Sequence, residues 1–155
     1  MLATIYHVIK NLMKRMIRIA CLISISMICF TSCKKDEKTR MELITAGNWK
    51  LVSDQEKTGT GAWQENIQTY SPCELDNYIK FNANNTFEYN EGPTKCDPMD
   101  AQSETAAWAF QNDESSINIY GEALGVEELS GSILILTSSD TFGGTTTYYK
   151  QVFNH

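Results

Sequence analysis

From Gly47 onward the apolar residues recur at every second position in short runs, and each run is cut off by a turn signal. Trp49 pairs this way with Leu51, Ile79 with Phe81, Phe87 with Tyr89, Trp108 with Phe110 and Ile117 with Ile119. A period of two puts both members of a pair on one face of an extended strand; on a helix they would face different ways. No stretch of this region carries a helical apolar period of useful length. The extended candidates are Trp49–Val52, Trp63–Tyr70, Tyr78–Phe81, Thr86–Asn90, Thr105–Gln111, Ile117–Ile119, Ala123–Leu129, Ile133–Thr137 (a continuous buried run) and Thr145–Phe153. Gly59-Thr60-Gly61, Asn82 to Asn85, Asn112 to Ser115, Gly131 and Ser138 to Gly144 supply the turns, and Glu91 to Ser103 a long loop. Tyr78 to Asn90 reads as a hairpin with an Asn-rich connection. Eight or nine short strands with no covering helix form an all-β, antiparallel meander. Closing it into a barrel removes the edges, and a β-sandwich is the alternative.

Charge divides the chain at Cys33. The first 32 residues carry Lys10, Lys14, Arg15 and Arg18 and no acid, so all 19 Asp and Glu lie in the remainder. A folded part this acidic is excluded as a nucleic-acid binder, which needs a basic face, and an anionic membrane surface repels it. In the leader, Lys14, Arg15 and Arg18 precede the apolar stretch Ile19 to Phe30, and Thr31-Ser32 offers small residues for cleavage. The apolar stretch is shorter than the about 20 residues a membrane helix needs. Met13 opens a leader of more usual form than Met1.

Phe30-Thr31-Ser32-Cys33 resembles the lipobox of bacterial lipoproteins, with Phe30 in place of the usual Leu. The resemblance implies cleavage before Cys33, a diacylglyceryl group on its sulfur and a further acyl chain (palmitate or similar) on its amino group. Two or more chains give stable anchoring where one is marginal. The usual inner-membrane retention signal has Asp after the cysteine, where this chain has Lys34. Lys34-Lys35-Asp36-Glu37-Lys38 instead looks like the export signal of surface lipoproteins in some Gram-negative bacteria, carried by Lys35, Asp36 and Glu37. The expectation is a leader over 1–32, a lipidated polar tether over 33–42 and a folded domain over 43–155. That places the protein on the outer membrane, displayed at the surface or else on the periplasmic face, with the lipoprotein processing and export machinery as partners.

Of five cysteines, Cys21 and Cys29 leave with such a leader and Cys33 takes the lipid. Cys73 and Cys96 remain, an even pair in an oxidising compartment, and are expected to form a disulfide.

Gly47-Asn48-Trp49 is similar to the Gly-x-Trp signature of the first lipocalin strand. Together with Cys73, Asp76, Ile79-Lys80-Phe81, Thr86-Phe87, Cys96 and Trp108 it resembles the lipocalin-like domain of small bacterial lipoproteins, over about Leu43 to Val152. The resemblance implies an up-and-down barrel of about eight strands. It implies that Trp49 packs across the closed end, with Lys150 the candidate for the basic residue that often stacks on this Trp. It supplies a fold and a class, and no particular ligand.

Catalytic readings find little support. The only histidine after the leader is His155, expected to be mobile at the chain end. A nucleophilic triad needs a fixed imidazole, and a usual zinc site needs several His or Cys ligands. Gly143-Gly144 lacks the following helix of a phosphate loop. Asp97, Asp100 and Glu104 are hard oxygen ligands of the kind calcium takes, but without EF-hand spacing they read as solvated loop. Asp113-Glu114 and Glu127-Glu128 read as solvated turns, so a hydrolase with two facing carboxylates is a distant third reading. No cofactor or metal is expected. A small barrel is either filled by side chains or holds one ligand. Phe81, Phe87, Tyr89, Trp108 and Phe110, inward by alternation, and Trp63 beside a Gly-rich turn are the candidate contacts for a small apolar or amphipathic molecule. The alternative is a side-chain-filled barrel serving as a non-catalytic interaction module of an envelope assembly.

Overall fold

The computed structural model describes residues 37–155. The leader, Cys33, Lys35 and Asp36 lie outside the described residues, and Glu37 is exposed. A short helix, α1 (Arg40–Ile44), opens the described part. The Glu42 N–H donates to Thr39 Oγ1, and the Thr39 N–H donates to the Glu42 carboxylate, a reciprocal cap that satisfies free amides of the first turn. One turn of helix has little stability in isolation. This one is held because Ile44 is fully buried and Met41 packs on the same cluster. Packed structure therefore begins inside the segment expected to be tether, because a capped turn lets Ile44 plug the barrel end.

The strands are β1 (Asn48–Thr58), β2 (Gln64–Glu65), β3 (Tyr78–Phe81), β4 (Thr86–Asn90), β5 (Ser103–Gln111), β6 (Ser116–Ile119), β7 (Glu122–Leu129), β8 (Ile133–Phe142) and β9 (Thr145–Asn154). From β3 to β9 each strand pairs antiparallel with the next, β1 pairs with β3, and β9 returns to pair with β1. The result is a closed meander of eight strands, with β2 as a two-residue spur on β1. Closure leaves no long free edge, and it decides against the sandwich. The run Ile133–Thr137 is not continuously buried: Leu134 and Leu136 face the core while Ile133 is exposed, the alternation expected of a barrel strand.

β1 changes partners along its length. Asn48 and Trp49 pair with β3, Gln55 and Glu56 with β2. The chain from β2 through a 3-10 turn (Ile67–Thr69) and a second short helix, α2 (Pro72–Leu75), forms a strap beside β1. Trp63–Tyr70, expected as a full strand, is thus two strand residues and a turn. The cause is Glu65, whose carboxylate accepts hydrogen bonds from Ser53 Oγ, from the Asp54 N–H at 2.9 Å and from the Ile67 N–H at 3.0 Å. The Cys73–Cys96 disulfide, closing a separation of 23 residues, ties α2 to the long loop before β5. Loop closure of that size contributes roughly 3 kcal/mol.

These three bonds, the Ser53 hydroxyl foremost, lower the Glu65 carboxyl from 4.5 to about 2. A depressed folded-state value means that the ionised carboxylate adds stability above pH 4.5, and that this share is lost as pH falls toward 2. Urea midpoints of the wild type and Glu65→Gln, measured from pH 7 to 2, are expected to differ by a constant amount above about pH 5 and to converge in acid. Parallel curves would show that the strap is held otherwise.

The core fills one end of the barrel. Ile44, Trp49, Phe81, Trp108, Ile117, Leu134 and Phe153 are all buried there. Phe81 meets Phe87 and Trp108 edge to face, and Trp108 meets Phe110 in the same way, the arrangement aromatic quadrupoles favour. Trp108 Nε1 donates to the Asn82 carbonyl at 3.1 Å, so its one polar atom is satisfied.

Candidate functional site: a two-sided barrel interior

Above the packed end the interior is hollow. A cavity of about 290 Å³ has Trp49, Leu51, Ile79 and Phe153 as its apolar lining. Tyr70, Tyr78, Tyr89, Asn77, Glu74 and Gln151 add polar groups. A second recess of about 230 Å³ is lined by Asp54, Leu124, Leu136, Thr137, Ser138, Tyr149 and Gln151. Gln151 borders both. Polarity rises along the strands, from Phe153 to Gln151 to Tyr149 on β9 and from Leu134 to Leu136 to Ser138 on β8.

The strap and α2 supply the polar wall. Tyr70 OH donates to Asp54 Oδ2 at 2.9 Å. Burial, followed by the Asp54 hydrogen bond, pushes the Tyr70 phenol up to about 12, so it stays a donor at neutral pH. Asn77 is 8% exposed. In the amide orientation that satisfies both ends, its nitrogen donates to the Cys73 carbonyl at 2.9 Å and the Glu91 carbonyl at 2.7 Å, and its oxygen accepts from Tyr89 OH at 2.6 Å. One side chain thereby joins α2, β4 and the following loop. Burial also raises the Tyr89 phenol. With their partners assigned, these groups form a fixed wall, which spares a ligand the cost of ordering it.

The aromatics named from the sequence separate into three groups. Phe81, Phe87 and Trp108 are buried in the filled end, and Phe110 packs beside them under the Arg40 guanidinium at 5.8 Å. None of these four lines the 290 Å³ cavity, because they are consumed in packing one another. Tyr89 does line it. Trp63 lies elsewhere, with Lys57 Nζ 4.8 Å and Lys150 Nζ 5.1 Å from its ring. Trp49 is fully buried at the barrel end, with Nε1 donating to the Ile44 carbonyl at 2.8 Å.

Two further expectations change. Lys150 does not stack on Trp49; it pairs with Glu127 at 2.8 Å, since strand alternation turns it away from the side where Gln151 faces the interior. His155 meets Trp49 instead, edge to face at 4.4 Å between ring centres. That contact also explains Gly47, where a Cβ would come within 3.2 Å of His155 Nδ1. Asp97 accepts from the Met99 N–H within its own loop, and among the described residues no cluster of three or more His, Cys, Asp or Glu is arranged to hold a metal. Sequence reasoning missed Asp54, Tyr70, Asn77 and Gln151. Gln151 had a signal, since it alternates with Phe153.

The lipocalin-like domain family matches residues 45–151. This chain belongs to that family. No curated protein matches it. Among solved structures, a deswapped triple mutant of bovine odorant binding protein is similar at 16% identity, covering 70% of this chain and 72% of that one, with a TM-score of 0.39. Within this lipocalin-like domain, Trp49 of the Gly-x-Trp signature is fully buried, with His155 as its edge-to-face partner.

Proposed function

We propose that this lipocalin-like barrel binds one small amphipathic molecule, without catalysis, while tethered to the outer membrane through lipid on Cys33. The observation that carries the ligand reading is the polarity gradient across two adjoining recesses that share Gln151. An apolar cavity of about 150 Å³ holds a benzene-sized guest, so 290 Å³ suits a single ring or a short chain. The polar head then meets Gln151, Asp54 and Tyr149. The hollow interior weighs against the rival reading of a filled barrel working only by its outer surface. Lipidation and display rest on Phe30 to Cys33 and on Lys35-Asp36-Glu37.

Native mass spectrometry of the protein purified from its own membrane tests both parts. The expected species begins at Cys33, carries two or more acyl chains and retains a small adduct. Leu51→Trp, which fills the apolar recess, is expected to lose the adduct and keep the lipid. A chain with residues before Cys33 and no fatty acid overturns the anchor. An acylated wild type without an adduct, or an adduct that survives Leu51→Trp, overturns the ligand site.

A further inference from the structure

A third recess adjoins the second, with which it shares Thr137, Ser138 and Tyr149. Lys57, Thr137, Ser139, Tyr148 and Lys150 alternate along β1, β8 and β9 with the inward residues Glu56, Leu136, Ser138, Tyr149 and Gln151, so they occupy the outer face. Trp63 and Tyr148, together with Ser138 and Tyr149 of the inward set, help line a concavity of about 410 Å³. Its floor is made of small residues, among them Gly125, Thr137 and Ser139. A Cβ on Gly125 would come within 2.6 Å of Thr137 Oγ1, so glycine keeps this floor low.

The charge here runs against the rest of the surface. In a chain of net charge −6, Lys57 Nζ stands 4.8 Å from the Trp63 ring centre and 5.1 Å from that of Tyr148. Lys150 Nζ lies 5.1 Å from Trp63 and is paired with Glu127. Among the described residues no carboxylate forms an ion pair with Lys57. Ring faces balance an ammonium only in part, and its three N–H donors leave room for an anion.

We propose that this recess binds an acidic saccharide, a pyranose ring bearing a carboxylate. The carboxylate pairs with Lys57. The C–H face of the ring lies against the exposed parts of Trp63 and Tyr148, beside the ammonium groups, and the hydroxyls of Thr137 and Ser139 meet those of the sugar. Flat aromatic walls over a hydroxyl-bearing floor suit a ring that is apolar on its faces and polar at its edge. The surrounding negative charge disfavours anions that lack such a ring.

Titration with tri-galacturonate, followed by tryptophan fluorescence, tests this site. Trp63 is 38% exposed while Trp108 is 2% exposed and Trp49 faces the inner cavity, so Trp63 is the reporter for this recess and Trp63→Ala separates its signal from that of Trp49. Cellotriose serves as the neutral control. Tri-galacturonate is expected to bind at least tenfold more tightly than cellotriose, roughly the difference that one charge-assisted contact of 1.4 kcal/mol makes. Lys57→Met is expected to remove that preference. Ser139→Glu, which leaves both rings in place, is expected to weaken tri-galacturonate about tenfold. Calorimetry on Trp63→Ala, with its fold checked by circular dichroism, is expected to show no binding. Absence of saturable binding, equal binding of the neutral trimer, or binding that survives Trp63→Ala in a folded protein overturns the proposal.

Discussion

Trp49→Ala is expected to lower the unfolding free energy by about 3–5 kcal/mol, the range for truncating a buried aromatic. Three losses combine. The side chain is fully buried between α1 and the barrel end, so its removal leaves a void in a packed cluster. The Ile44 carbonyl loses the indole donor at 2.8 Å, and an unsatisfied buried acceptor costs about 1–3 kcal/mol. His155 loses its edge-to-face partner, which frees the end of β9. Because Trp49 also lines the 290 Å³ cavity, the void opens into the proposed ligand site. Urea denaturation reads the change as a lower midpoint at unchanged slope. A loss below about 1 kcal/mol would mean that the barrel end relaxes to fill the gap, against the rigid closure described above.

Gly92→Ala is the second large effect, with an expected loss of about 2–4 kcal/mol from combined backbone strain and overpacking. Gly92 has φ +66, a region that favours glycine. A Cβ there would lie 2.4 Å from the Asp76 carbonyl oxygen and 2.5 Å from Asp76 Oδ1. Asp76 cannot retreat easily. It caps α2, which the Cys73–Cys96 disulfide ties to the loop carrying Gly92, and the neighbouring Asn77 bonds to the carbonyls of Cys73 and Glu91. Displacement is therefore expected to reach Asn77 and Tyr89 and deform the polar wall of the cavity. Gly144→Ala is the control. Its φ is +80 with nothing within 4 Å of a built Cβ, so only the conformational cost of about 1 kcal/mol remains. Equal losses in the two variants would show that the contact with Asp76 contributes nothing.

Both predictions concern residues whose roles were unequally visible in the sequence. Trp49 stood in a Gly-x-Trp signature and in an alternating pair with Leu51, so its inward direction was legible. Gly92 was one turn residue in a long loop, because its approach to Asp76 is a tertiary contact with no local pattern. Asp54 was hidden for a different reason. Counting by twos from Trp49 and Leu51 leads to Ser53, Gln55 and Lys57 as the inward set. A register shift in the pairing between Leu51 and Ser53 moves the strand by one residue. Such a bulge exchanges the two faces, bringing Asp54 into the interior and Lys57 to the outer surface.

The sequence by itself determined an antiparallel strand meander, its turns, the paired cysteines and the sharp charge boundary at Cys33. Those features depend on neighbours a few residues apart, or on residue type alone. The tertiary structure decided which inward aromatics are core and which face open space. Alternation assigns a side chain to a face, but its depth in the barrel depends on strand tilt and stagger, which all the strands set together. Phe81, Phe87 and Trp108 therefore fill one end while Tyr89, from the same pattern, borders the cavity. Trp63 was decided in the same way: the Glu65 contacts that fold the strap place its ring beside Lys57 and Lys150, outside the lining of the 290 Å³ cavity.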